Sequence, residues 1–163
     1  MKLKIKEKLA SHIHICIWII ISGLALSGIT AFSIENELGS LLYHSSGYPQ
    51  LLHNWLNAVY HAVKYTNQTY PYLSYGTDWL AFAHLLLALL FIGPLKDPVK
   101  NVWVIEFGMI AALAIFPLAF IAGGVRGIPV FWRLIDCSFG IVALMVLLPC
   151  YRMVNKLIRL ENI

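Results

Sequence analysis

Charge is scarce in this chain: 12% of its 163 residues are charged, while 60% are hydrophobic. A soluble domain of that length has too little interior to hide so much apolar surface, which excludes an ordinary water-soluble fold. Cysteine is scarce too, with Cys16, Cys137 and Cys150 and no C-x-x-C pair. Cys137 falls near the outer end of its apolar segment and the other two near inner ends, so these read as buried small hydrophobes rather than a redox pair. No internal repeat is present, which weighs against an inverted-repeat transporter. Metal-ligand spacing is also missing. His53 and His61 are eight residues apart, about 12 Å along a helix, and His12 and His14 point to different faces. Neither a metal, a haem nor another cofactor is expected.

What the chain has is long apolar runs, at about residues 13–32, 79–95, 102–123 and 131–150. At about 1.5 Å rise per residue each crosses or nearly crosses a hydrocarbon layer of about 30 Å. A backbone in lipid must satisfy its own hydrogen bonds, so the runs are predicted to be helices. Lys2, Lys4, Lys6 and Lys8 precede the first run, Lys96 and Lys100 separate the second and third, and Arg152, Lys156 and Arg159 follow the fourth. Four crossings put all of these on one side, leaving Lys64, Arg126 and Arg133 on the other. The positive-inside rule then predicts cytoplasmic N- and C-termini. The basic residues serve topology, so no nucleic-acid partner is expected. The first run is longer than a signal-peptide core, and Ala31-Phe32-Ser33 is a poor cleavage site, so it reads as a retained anchor.

Residues 33–77 form the outer-face segment. Leu51, Leu52, Trp55, Val59, Tyr60 and Val63 recur at helical spacing opposite His53, Asn54, Asn57, His61 and Lys64, which predicts an amphipathic helix opened by Pro49. Seven of the eight tyrosines lie between Tyr43 and Tyr75, and such rings favour the headgroup layer. This helix is expected to lie along the outer surface. Thr77 or Asp78 is a candidate cap for the second span, and Gly93-Pro94 is expected to end it. Pro117 should bend the third span. Gly23 with Ser27, and Ala81, His84, Leu85 and Ala88, mark candidate helix contacts.

Titratable groups inside spans are costly and invite functional hypotheses. Arg133 and Asp136, at i and i+3, share a face near the outer start of the fourth span, either as a self-neutralising pair or as part of a site. Arg126 in the preceding loop adds a second cation beside a helix N-terminus, the makings of an anion pocket. The bland alternative for Arg126 is an ion pair with Asp78, Glu35 or Glu37. His84 is predicted about 9 Å below the outer end of its span, as a hydrogen-bonded buried side chain or as an acid–base group. His84, Asp136 and Arg133 have comparable predicted depth, so Arg126, Arg133, Asp136, His84 and Asp78 form the candidate ligand-binding set, with His84 and Asp136 the catalytic candidates. Glu106 is expected to pair with His12, His14, Lys96 or Lys100. Asn67-Gln68-Thr69 is a glycosylation sequon on the outer side.

Three blocks, YGTDWLAFAH at 75–84, FIGPLKDPVKNVWVIEFG at 91–108 and RGIPVFWRLIDCSFG at 126–140, resemble those of an uncharacterised group of bacterial four-span integral membrane proteins. The resemblance implies a bacterial envelope location and carries no activity across. The layout of one span, an outer segment and three more spans is also similar to that of the sterol-isomerase and sigma-2 receptor group, in architecture alone.

The expected fold is an all-α membrane protein: a four-transmembrane-helix bundle over 1–163, a single membrane domain with an amphipathic surface helix between the first two spans. The expected function is binding of a membrane lipid or small amphipathic anion in a pocket facing the outer leaflet. The rivals are an enzyme moving protons on a lipid-soluble substrate and an accessory or assembly subunit held to a homo-oligomer or a membrane complex.

Overall fold

The computed structural model describes residues 2–161, and among them there are helices and no strands. In chain order these are α1 (Lys2–Phe32), α2 (Ile34–Tyr43), α3 (Gln50–Thr69), α4 (Pro71–Leu90), α5 (Ile92–Lys96), α6 (Val102–Val125) and α7 (Val130–Glu161), with a 3₁₀ turn at Ser45–Gly47. Four segments are long and apolar enough to cross a membrane: Lys4–Phe32, Pro71–Lys96, Val102–Val125 and Val130–Leu160. The all-α, four-span class expected from the sequence is the class observed.

Several boundaries differ from expectation. The second spanning helix starts at Pro71, not beside Asp78. Proline presets a helical φ and lacks the N–H that a first turn leaves unpaired, so it opens a helix well. Thr77 and Asp78 consequently lie inside α4, and Thr77 Oγ1 donates back to Ser74 O at 2.5 Å. Gly93-Pro94 does not end this span but sits within α5, and the break falls earlier, at Phe91. The ring of Pro94 crowds the carbonyl four residues before it, that of Leu90, and offers no N–H to it, which moves the fault one turn upstream. Helix α2 was not anticipated. Its first turn carries Glu35 and Glu37, which favour the positive end of the helix dipole.

The chain divides into two compact units, Met1–Ser22 with Ala88–Ile163, and Gly23–Leu87. In the first, α6 and α7 pack through glycine. A Cβ on Gly140 would lie 2.7 Å from Ala112 O, and one on Gly108 would lie 3.1 Å from Leu147 Cδ1. Ile13, Ile17, Val104, Ile105, Leu147, Cys150 and Val154 are among its buried residues, and the thiols of Cys16 and Cys150 meet there. In the second unit α2 lies on α3, with Leu38 and Leu56 buried and the Tyr60 ring 3.4 Å from a Cβ built on Gly39. Ser45 Oγ donates to Leu42 O (2.6 Å) and accepts from His53 Nδ1 (2.7 Å), tying the 3₁₀ turn to α3. The close approach of α1 to α4 is at Gly28, whose Cβ would lie 2.9 Å from Ala81 O. The expected contact residue Gly23 has nothing within 4 Å.

Ile110, Leu118, Ile121, Phe139 and Met145 are all more than 60% exposed, whereas Ser45 is the buried polar residue among those described. Large apolar side chains outward on long helices reverse the arrangement of a soluble protein and suit lipid as the surrounding solvent.

Candidate functional site

The turn between α6 and α7 is built residue by residue. Gly127 takes φ +67°, its N–H reaches Gly124 O at 3.2 Å, and the Ile128 N–H reaches Gly123 O at 2.9 Å. This pair of bonds is a Schellman closure, which needs a left-handed residue at that point, and glycine adopts it without a side-chain clash. Pro129 then leads into α7, its carbonyl accepting from the N–H groups of Trp132 and Arg133 at 3.0 and 3.2 Å.

Arg133 folds back over this closure. Its Nε donates to Ile128 O at 2.6 Å, and a Cβ on Gly123 would stand 3.1 Å from its Cδ. The guanidinium therefore lies at the C-terminal end of α6, where the helix dipole presents its negative pole. That removes the conflict of a cation in the first turn of α7. Arg126, the C-cap of α6, is exposed and donates its own N–H to Ala122 O at 3.0 Å. Asp136 is half-buried one turn further along α7. Among the described residues the single ion pair is Lys100–Asp97 at 3.3 Å, so Arg133 and Asp136 are not a self-neutralising pair. Arg126 and Arg133 thus share the hairpin end with no carboxylate salt-bridged to either within their unit.

The other candidates have their own surroundings. His84, in the second unit, is half-buried, and its Nδ1 donates to Leu80 O at 2.8 Å, one turn back on α4. Glu106 is half-buried in α6, and three of its four expected partners are occupied elsewhere. His12 Nδ1 donates to Lys8 O (2.6 Å), His14 Nε2 to Leu95 O (2.9 Å), and Lys100 is on Asp97. Asn67 of the sequon is half-buried and committed: its Nδ2 donates to Glu35 Oε2 at 2.5 Å and its Oδ1 accepts from Ser74 Oγ. Among the described residues no group of three or more His, Cys, Asp or Glu is arranged to hold a metal.

Each unit carries a cavity beside one or more of the charged residues. Asp78 lines a surface groove of about 240 Å³ with Phe32, Tyr75, Trp79 and Phe82. The sequence placed Asp78 in the candidate set and gave the tyrosines up to Tyr75 a headgroup-layer role, without joining them to Asp78. Tyr75, Asp78, Trp79 and Phe82 repeat at three- and four-residue steps, a spacing that places them on one face of a helix. The second, of about 290 Å³, lies at the turn after α5 and is lined by Ala10, His14, Lys96, Asp97, Lys100 and Leu157 among others. There the Lys100 backbone N–H donates to Asp97 Oδ1 at 3.0 Å. That bond, with the nearby Lys100 ammonium, holds the Asp97 carboxyl below its ordinary range.

No protein-family model, curated protein or solved structure matches this chain. Its four apolar helices identify a multi-pass membrane protein.

Proposed function

We propose that this is a polytopic protein of the bacterial inner membrane, with both termini cytoplasmic, that binds a membrane lipid or small amphipathic anion at the outward end of the α6–α7 hairpin. The bacterial setting rests on the sequence blocks quoted above, and the orientation on the Lys and Arg bias. The observation that carries the binding function is the pair Arg126 and Arg133. Arg133 is half-buried, with its Nε held by Ile128 O, so the fork is oriented and its Nη groups remain to meet a phosphate or carboxylate. A pre-positioned guanidinium loses less entropy on pairing than a free lysine, and its fork matches an anion's oxygens. Exposed Arg126 supplies the second cation. Asp136, one turn along, supports recognition of a hydroxyl or amine of the same molecule.

Native mass spectrometry of protein released from nanodiscs containing phosphatidylglycerol tests this reading. Retained lipid is expected on the parent protein. It should fall about tenfold in Arg126→Gln with Arg133→Gln, as expected when charge-assisted contacts worth about 1.5 kcal/mol are lost. Arg126→Gln alone leaves the turn intact and should lower retention part of the way. Equal retention in all three proteins would overturn the proposal.

A further inference from the structure

The groove around Asp78 has the opposite chemistry to the arginine hairpin and lies in the other unit. Its lining is a carboxylate among four aromatic side chains, Phe32 from the end of α1 and Tyr75, Trp79 and Phe82 from α4. Within that unit the acidic residues are Glu35, Glu37 and Asp78, against Lys64 alone. Glu35 accepts from Asn67, and Lys64 lies 5.6 Å from the centroid of the Tyr60 ring. Asp78 is half-buried and has no ion-pair partner among the described residues of its unit. A carboxylate half removed from water and left unpaired favours a cation beside it.

The rings set which cation. Tyr75 and Trp79 meet with centroids 6.1 Å apart at 82°, and Trp79 and Phe82 with centroids 6.3 Å apart at 86°. These are edge-to-face contacts rather than stacked pairs. Electron-rich faces attract an organic ammonium, which sheds its water far more readily than a small metal ion does, and aromatic boxes closed by an acid are suited to such ligands. A volume of about 240 Å³ accommodates an ammonium head of a few carbon atoms. An aromatic belt alone would place rings at the headgroup layer, but it calls for no unpaired carboxylate among them.

We infer that Phe32, Tyr75, Asp78, Trp79 and Phe82 form a binding site for an organic ammonium group, with Asp78 as its counter-ion and the rings as its walls. The ammonium can belong to a phosphatidylethanolamine headgroup or to a free amine. The site is independent of the phosphate reading above, since it uses none of the same residues.

Protein in maltoside detergent is titrated with tetramethylammonium chloride, against sodium chloride at equal ionic strength, while the Trp79 indole N–H resonance is followed by NMR. In parallel, native mass spectrometry compares retention of phosphatidylethanolamine with that of phosphatidylglycerol. A saturable Trp79 shift, absent with sodium and weakened about tenfold in Asp78→Asn, supports the site and shows that a free ammonium suffices. Selective retention of phosphatidylethanolamine without a tetramethylammonium response, lost in Asp78→Asn, supports it with the lipid headgroup as the source. Phe82→Leu, an apolar change on a partly exposed position, should weaken either response severalfold and guards against misfolding of the Asp78 variant. Neither response, or a response that survives both substitutions unchanged, overturns the inference. Loss of phosphatidylglycerol binding at the arginine hairpin bears on the earlier proposal alone.

Discussion

Arg133 occupies the first turn of α7, where a cation opposes that helix's dipole, yet its side chain serves α6. The Gly123–Gly124 pair lets its stem lie across the end of α6, and the Ile128 carbonyl holds its Nε. Arg133→Met keeps most of the stem and deletes that charged hydrogen bond. The expected cost is about 1–2 kcal/mol, read as an earlier midpoint in detergent unfolding, while Arg126→Gln should leave the midpoint unmoved. Asp97 gives a second test at this scale. Its carboxyl is held low by the Lys100 N–H, so this bond stabilises the folded turn fully above the ordinary aspartate value of about 3.9. That contribution is lost as pH falls through the lower folded value. The Lys100 amide resonance should therefore titrate with a midpoint below about 3.9, and the step should vanish in Asp97→Asn. A midpoint at or above the ordinary value contradicts the assignment.

Helices in lipid gain little from hydrophobic burial against one another, so close backbone approach must supply much of their packing. This sorts the glycines. Gly140 and Gly28 stand where an added Cβ would meet a backbone carbonyl, at 2.7 and 2.9 Å, whereas Gly23 and Gly76 have nothing within 4 Å. Gly140→Ala should thus force α6 and α7 apart and cost about 1–3 kcal/mol. Gly76→Ala, inside α4 and unopposed, should instead stabilise by about 0.5–1 kcal/mol, the usual advantage of alanine over glycine in a helix. Thermal unfolding of the two variants in the same detergent reads both signs at once. Equal effects would mean that space at these positions does not control packing.

Across the whole molecule, four spans with the cytoplasmic termini proposed above make a directional prediction about access. With Cys16, Cys137 and Cys150 replaced by alanine, a cysteine at Tyr72 should react with a membrane-impermeant maleimide in intact cells, and one at Pro98 only after lysis. The reverse pattern would invert the orientation drawn from the lysine and arginine bias. It would also move both proposed sites to the cytoplasmic leaflet without altering their internal geometry.

Length and polarity along the chain determined the class by themselves. Lipid leaves a backbone no partner but its own, so an apolar run of sufficient length has to be helical wherever it occurs. Residues 102–125 were nearly complete in that reading, as was the amphipathic α3 behind Pro49. Helix ends were less legible, because they depend on single backbone groups. Pro71 opens α4 earlier than the apolar run begins, and Pro94 breaks the span upstream of itself. The site residues divide in the same way. Arg126, Arg133, Asp136, His84 and Asp78 were visible as charges out of place, but their partners were not. That Arg133 reaches back to Ile128 O, and that Phe32 from α1 shares a groove with Asp78 of α4, was decided by tertiary structure alone. Periodicity assigns a side chain to a face of its own helix, whereas contacts between separate elements depend on how those faces pack.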